Sequence, residues 1–254
     1  MKAASWRTAW VTGASSGIGR ALVLALAARG VTVAASARRL DELETLAASS
    51  DRITAFALDV TDLAAVKRTA EEITARLGPI DLAIFNAGIV QPMGAWDFDA
   101  ELAARTMAVN YQGLVNGIAA VAPAMIERRR GRIALMASLA GYRGLPGAAA
   151  YSPSKAAIIS LAEALEPELD HAGVGITVIN PGYVQTPMIA KATHSLPFLI
   201  GPEDAARRIV AGLERGKFEI AFPWQMVWLA KLARIVPYVA YLWVMGLNAS
   251  RGPK

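Results

Sequence analysis

Cysteine is missing from this sequence altogether. That absence excludes disulfides, cysteine-ligated metals and a thiolate nucleophile. Histidine is almost missing: His171 and His194 stand alone and far apart, which argues against a zinc site. A hydrophobic leader is wanting too. The N-terminus enters a strand-like apolar run within a few residues, with no apolar leader segment followed by a small-residue cleavage site, so the folded body is expected in the cytoplasm. No Ser/Gly-rich linker, charge block or repeat period divides the chain. Aromatic residues do not accompany the longest basic run, Arg128-Arg129-Arg130, so nucleic-acid binding is not expected. That run ends a helical pattern, where cations complement the helix dipole on a solvated face.

What is present suffices for one large core. The 254 residues are 54% hydrophobic and carry a net charge of +5, a balance compatible with an anionic surface or a phosphorylated ligand. Short apolar runs alternate with longer helical patterns. The runs lie at 8–12, 31–36, 53–58, 82–85, 133–137, 175–180 and 218–222. They lack polar alternation, as strands covered on both faces do. Repeated strand–helix–strand units imply parallel pairing with right-handed crossovers. The expected fold is α/β: a single-domain, Rossmann-like doubly wound parallel sheet of about seven strands with helices on both faces. Its ligand site is expected at the carboxyl ends of the strands.

One short stretch organises the chemistry. Tyr151 and Lys155 are four residues apart and share a helix face if the segment is helical. A tyrosine pKa of about 10 needs roughly 4 kcal/mol of preference for the phenolate to approach neutrality. One cation about 4 Å away, at an effective dielectric near 20, supplies about that much. Ser138, ending an apolar run, can place a hydroxyl beside the phenol. Pro153 lies between the pair; a helix interior would disfavour it by several kcal/mol and a first turn would not, so the helix is expected to begin near Ser152.

Upstream, Gly13, Ala14, Ser15, Ser16, Gly17, Ile18 and Gly19 join the first strand to the first helix, where glycines allow close approach and free N–H groups face a pyrophosphate. An NAD-binding unit usually ends its second strand in Asp or Glu. Here stand Arg38 and Arg39, with no acid before Asp41, and arginine suits a 2′-phosphate. NADP(H) is therefore the expected cofactor. Asp59 and Val60 follow the third strand, with the acid placed to accept from an adenine amine. Asn86, Ala87 and Gly88 follow the fourth, as a cofactor floor. Asn110 falls within a long helical region, 100–130, expected in two pieces. Pro181, Gly182, Val184 and Thr186 follow the sixth strand. Each alone is ordinary turn or core chemistry.

Together, in this order and spacing, these positions resemble the short-chain dehydrogenase/reductase family over residues 8 to about 220. The resemblance implies hydride transfer at a nicotinamide between a secondary alcohol and a ketone. It implies Tyr151 as general acid or base, and Lys155 binding the nicotinamide ribose and lowering the Tyr151 pKa. Ser138 would bind the substrate oxygen, and Asn110 would support a proton-refilling water chain. It implies a small-molecule substrate and a homodimer or homotetramer. Leu114, Ile118, Val121, Ala122 and Met125 form a stripe that suits either core or interface. A 3-oxoacyl carrier-protein reductase and a non-catalytic NADP-binding protein remain as alternatives.

The chain departs from the family at its end. Many members finish with a glycine-rich strand; this one, after a domain expected over 1–222, continues as an apolar, aromatic-rich extension, 223–254. Trp224, Trp228, Tyr238, Tyr241 and Trp243 stand beside Lys231 and Arg234. The two charges would cost about 5 to 7 kcal/mol in a bilayer centre, and Pro237 breaks the run, so no span is expected. Helices lying in a membrane interface, a subunit contact or a cover for the substrate cleft all fit, and each suggests a lipophilic substrate.

Overall fold

The computed structural model describes residues 6–190 and 196–248. Seven strands form one parallel sheet in the order β3-β2-β1-β4-β5-β6-β7. They are β1 (Thr8–Thr12), β2 (Thr32–Ala37), β3 (Ile53–Ala57), β4 (Leu82–Phe85), β5 (Gly131–Met136), β6 (Val174–Pro181) and β7 (Glu219–Phe222). Between them run α1 (Gly17–Ala27), α2 (Leu40–Ala47), α3 (Leu63–Leu77), α4 (Ala100–Met107), α5 (Gly113–Glu127), α6 (Tyr151–His171) and α7 (Pro202–Glu214). Two more helices, α8 (Trp224–Ile235) and α9 (Tyr238–Asn248), follow the last strand.

The strands are apolar on both sides because both sides are covered. Ala9, Val11, Val33 and Ala35 enter one core with α1 and α7; Trp10 and Ala34, between them, enter the other with α3, α5 and α6. This is the period of two expected of a pleated strand. Trp10 meets Phe85 edge to face at 5.7 Å, and its indole N–H donates to the Ser36 hydroxyl at 2.8 Å, which satisfies the one polar atom the ring carries inside. Leu114, Val121, Ala122 and Met125 all sit in the second core, so the α5 stripe is used inside the subunit.

The long helical region is in two pieces, as expected. A single π turn, Ala108–Gln112, separates α4 from α5 and holds Asn110. Asp62 and Asp99 cap α3 and α4 through their carboxylates, which fixes both starts. Helix α6 begins one residue earlier than expected, at Tyr151, so Pro153 falls in its first turn, where a backbone N–H has no helical acceptor. The arginine run is exposed, as expected of a solvated face, and its members also reach back to the body. Arg128 donates to Ile80 O at 3.0 Å, Arg129 to His171 O at 3.2 Å, and Arg130 lies 3.6 Å from Asp81.

The last two helices fold back on the body. Met226, Val227 and Ala230 pack on the second core. Arg143 Nη1 donates to Val236 O at 2.8 Å, capping α8, and its guanidinium lies over Tyr238 at 4.6 Å and Tyr241 at 4.2 Å. Lys231 and Arg234 pair with Glu219 and Glu163. Among the described residues no helix is long and apolar enough to cross a membrane.

Candidate active site

β1 leads on to β2 on one side and pairs with β4 on the other, so a crevice opens at the carboxyl ends of β1 and β4. The glycine-rich turn lies there. Gly19 has no room for a side chain: a Cβ would come 2.2 Å from Gly13 O. The Asn86 amide is turned under this turn, donating to Thr12 O at 3.0 Å and Gly13 O at 3.2 Å, while the Asn86 N–H donates to the Thr12 hydroxyl. Asn86 thus braces the turn from below rather than offering its amide to the crevice. Ser16 starts α1 without capping it, which leaves the first-turn N–H groups of Gly17, Ile18 and Gly19 without a side-chain partner. A chain built this way fits a pyrophosphate. Thr186 leans over from β6, its methyl 2.8 Å from where a Gly17 Cβ would be.

At the end of β2 the two arginines project as exposed side chains. Arg39 donates to the Ser15 hydroxyl at 2.9 Å. Arg38 lies close enough to Asp59 to favour its carboxylate. Two hydrogen bonds from Thr61, at 2.9 and 2.7 Å, lower the Asp59 pKa more. Val60 is buried, its carbonyl accepting from Asn116 at 2.9 Å, so its contribution is backbone geometry. Ser36 faces the core, so no carboxylate occupies the end of this strand.

The second half of the site forms where β5, α6 and the π turn meet. Ser138 follows β5 and opens a 3₁₀ turn, Leu139–Gly141, accepting from Ala140 N at 3.1 Å. A Cβ on Gly141 would come 2.7 Å from the Lys155 backbone, so this turn lies directly on α6. Ser138 Oγ is 3.4 Å from Pro181 O, and its hydrogen bond to the Tyr151 phenol favours the phenolate. Val184 is buried and pairs with Ile200, anchoring the segment that leaves β6. Asn110 is buried and fully engaged: it accepts from Ile89 N at 2.7 Å and donates to Ile89 O and Ser154 Oγ at 3.0 Å each. The π turn is what aims it there.

Lys155 stands beside Tyr151, its Nζ 5.6 Å from the ring centroid. The electrostatics differ from the simple sequence expectation. Burial pushes the Tyr151 phenol up, against the pull of Ser138. Burial also lowers Lys155 to about 7, even though Nζ donates to the Met136 carbonyl at 2.8 Å. A cation that is itself desolvated in this way cannot be counted at full charge. Sequence reasoning also missed Ser154, inside the Tyr–Lys spacing, which donates to Tyr151 O at 2.7 Å and receives Asn110. A serine three residues after the tyrosine was the available signal. It missed Tyr142, Asn180 and Glu219 as well, buried or half-buried beside the Ser138 turn, for which no spacing gave a signal.

Comparison with known proteins agrees with this fold. A family described as short chain dehydrogenase matches residues 7–196. An uncharacterized oxidoreductase of Myxococcus xanthus (strain DK1622) is 39% identical over 237 residues, 92% of this chain and 94% of that protein. A 2-dehydro-3-deoxy-L-rhamnonate dehydrogenase (NAD(+)) of Sphingomonas sp. (strain SKA58) is 36% identical over 190 residues, 74% of this chain and 76% of that one. In other curated relatives the chain matches only part of a longer protein. A crystal structure of a short-chain dehydrogenase from Streptomyces avermitilis superposes with a TM-score of 0.82 at 28% identity, covering 98% of this chain and 97% of the other.

Proposed function

Because the chain belongs to the short-chain dehydrogenase/reductase family, an oxidoreductase family that acts on CH–OH groups with a nicotinamide cofactor, we propose that it is an NADP(H)-dependent enzyme interconverting a lipophilic secondary alcohol and its ketone. One observation carries the reading: Ser138, Tyr151 and Lys155 lie together, with Lys155 Nζ 3.6 Å from where a Gly88 Cβ would be, just past the end of β4 where the crevice opens.

The cofactor, when bound, supplies or accepts the hydride. The residues manage the oxygen and the proton. Ser138 hydrogen-bonds the substrate oxygen. Tyr151 gives that oxygen a proton in reduction and takes it back in oxidation. Lys155 donates to ribose hydroxyls, and such acceptors favour its charged form. The ammonium then lowers the phenol, reversing the effect of burial. Asn110 holds the Ile89 backbone and Ser154 in place behind the pair.

Choice of NADP(H) rests on Arg38 and Arg39, exposed at the end of a strand that carries no acid there. Arg39 already reaches Ser15 in the turn. The Sphingomonas relative carries NAD(+) in its name, so these positions are where a difference is to be sought. The lipophilic substrate rests on large exposed apolar residues on the segments leaving β4, β5 and β6: Trp96, Phe98, Leu145, Met188, Phe198 and Leu199. The outer side of α8 and α9 is apolar as well, which supports contact with a lipid interface.

Tyr151→Phe tests the assignment. It is expected to bind NADPH with unchanged affinity by fluorescence titration and to lose 10²-fold or more, on the order of a general acid's contribution, in carbonyl-dependent NADPH oxidation. Equal turnover in the variant would sink the assignment.

A further inference from the structure

A carboxylate that the reaction does not use lies just beyond Ser138. Tyr142, four residues after Ser138 and buried, hydrogen-bonds Glu219 Oε1 through its hydroxyl. Asn180 Nδ2 donates to the same Glu219 oxygen at 3.1 Å and to the Tyr142 hydroxyl oxygen at 3.3 Å. Asn180 directly precedes Pro181, whose carbonyl is 3.4 Å from Ser138 Oγ. Lys231, from α8, holds Glu219 Oε2 at 2.6 Å. One side chain on β7 therefore grips both segments that flank Ser138: the turn after β5 and the end of β6.

We propose that Glu219 is a positioning residue for the reaction, fixing the Ser138 hydroxyl through Tyr142 and Asn180; this rests on the reading of Ser138 as the group that binds the substrate oxygen. The turn has little freedom of its own. Gly141 lies against the Lys155 backbone, so α6 backs the turn and a displacement of Tyr142 passes back along it to Ser138. Burial and the Glu219 carboxylate both raise the Tyr142 phenol, so it remains the neutral donor this arrangement needs. Lys231, Tyr142 and Asn180 together outweigh burial and hold Glu219 below the usual carboxylate range. The glycine-rich turn lies on β1, three strands away from β6, so the grip on Ser138 is separable from the cofactor crevice. A serine displaced by a fraction of an ångström binds the oxygen less well in the transition state, which shows in kcat.

The test compares Glu219→Ala, Glu219→Gln and Tyr142→Phe in the full chain, with 2-decanone as carbonyl and NADPH as reductant. Hydrogen–deuterium exchange is followed over residues 138–145. For Glu219→Ala we expect exchange there, and loss of kcat, to change by about tenfold, with KM for NADPH within about twofold of the wild type. Tyr142→Phe is expected to lose kcat alike. Glu219→Gln keeps an acceptor for Tyr142 and Asn180 and is expected to restore both readouts to within about threefold. Wild-type exchange and kcat in Glu219→Ala would overturn the proposal. So would a kcat loss matched by an equal loss of NADPH affinity, or a Gln variant as impaired as the Ala variant. A Tyr151→Phe protein as fast as the wild type would instead overturn the underlying assignment, and the Ser138 role with it.

Discussion

Lys155 and Tyr151 illustrate why a residue's chemistry is set by its neighbours' polarity and not by its spacing. Four residues on a helix put the ammonium near the ring, yet its nearest partner is a backbone carbonyl. With no carboxylate to offset desolvation, Lys155 falls to about 7 from an ordinary 10.5. This has a stability consequence with a definite sign. Below about pH 7 the amine is charged in both the native and unfolded chain, and its desolvation weakens the fold in full. Between 7 and 10.5 the unfolded chain holds a proton that the native chain has released, so stability rises with pH across that window. Above 10.5 neither holds it. We expect the urea midpoint of the cofactor-free protein, minus that of Lys155→Met, to rise between pH 7 and pH 9. A flat difference would mean that the buried amine keeps its proton.

At the scale of elements, α8 and α9 are the departure from a plain doubly wound domain. Their inner side is held by Arg143, by the Tyr241 hydroxyl on Gly144 O at 2.6 Å, and by the pairs Lys231–Glu219 and Arg234–Glu163. Their outer side presents Trp228 at 71% exposure and Val239 at 86%. The two cations are therefore engaged with the body, and the proposed attraction to a lipid surface would rest on the apolar side chains and aromatic rings more than on charge. Trp228→Asp with Val239→Asp leaves the inner contacts untouched. Full-length protein is expected to float with vesicles of phosphatidylcholine and phosphatidylserine, and the double variant to partition at least about tenfold less, roughly 1.4 kcal/mol. Equal flotation, or none for either protein, would count against lipid contact.

For the whole molecule, the sheet joins two cores and the cofactor crevice spans strands that feed both. A ligand bound across that crevice stabilises the folded chain against the unfolded one by mass action. At a hundredfold excess over its Kd, NADPH, as the proposed cofactor, is expected to add about 2.7 kcal/mol, a rise in Tm of about 5 to 10 °C for a chain of this size. NADH at the same concentration is expected to give a smaller rise. Arg38→Ala is expected to shrink the NADPH rise toward that of NADH; an unchanged difference would move the preference away from Arg38.

By resemblance to a family the sequence offered the glycine-rich turn, the arginines, Asn110, Ser138 and the Tyr151–Lys155 pair as site positions, and by itself it determined the class of fold and the order of the elements through β7. It could do so because strand and helix periodicities are local, and because parallel strands covered on both faces read as unbroken apolar runs. Only the tertiary structure decided that the α5 stripe is core, that Asn86 braces the turn, and that Arg143 clamps two tyrosines nearly a hundred positions away. It alone placed Glu219 against Tyr142, 77 residues back along the chain, and Asn180. Contacts of that kind join residues with no fixed separation, set by how strands stack in the sheet, and no spacing along the chain records them.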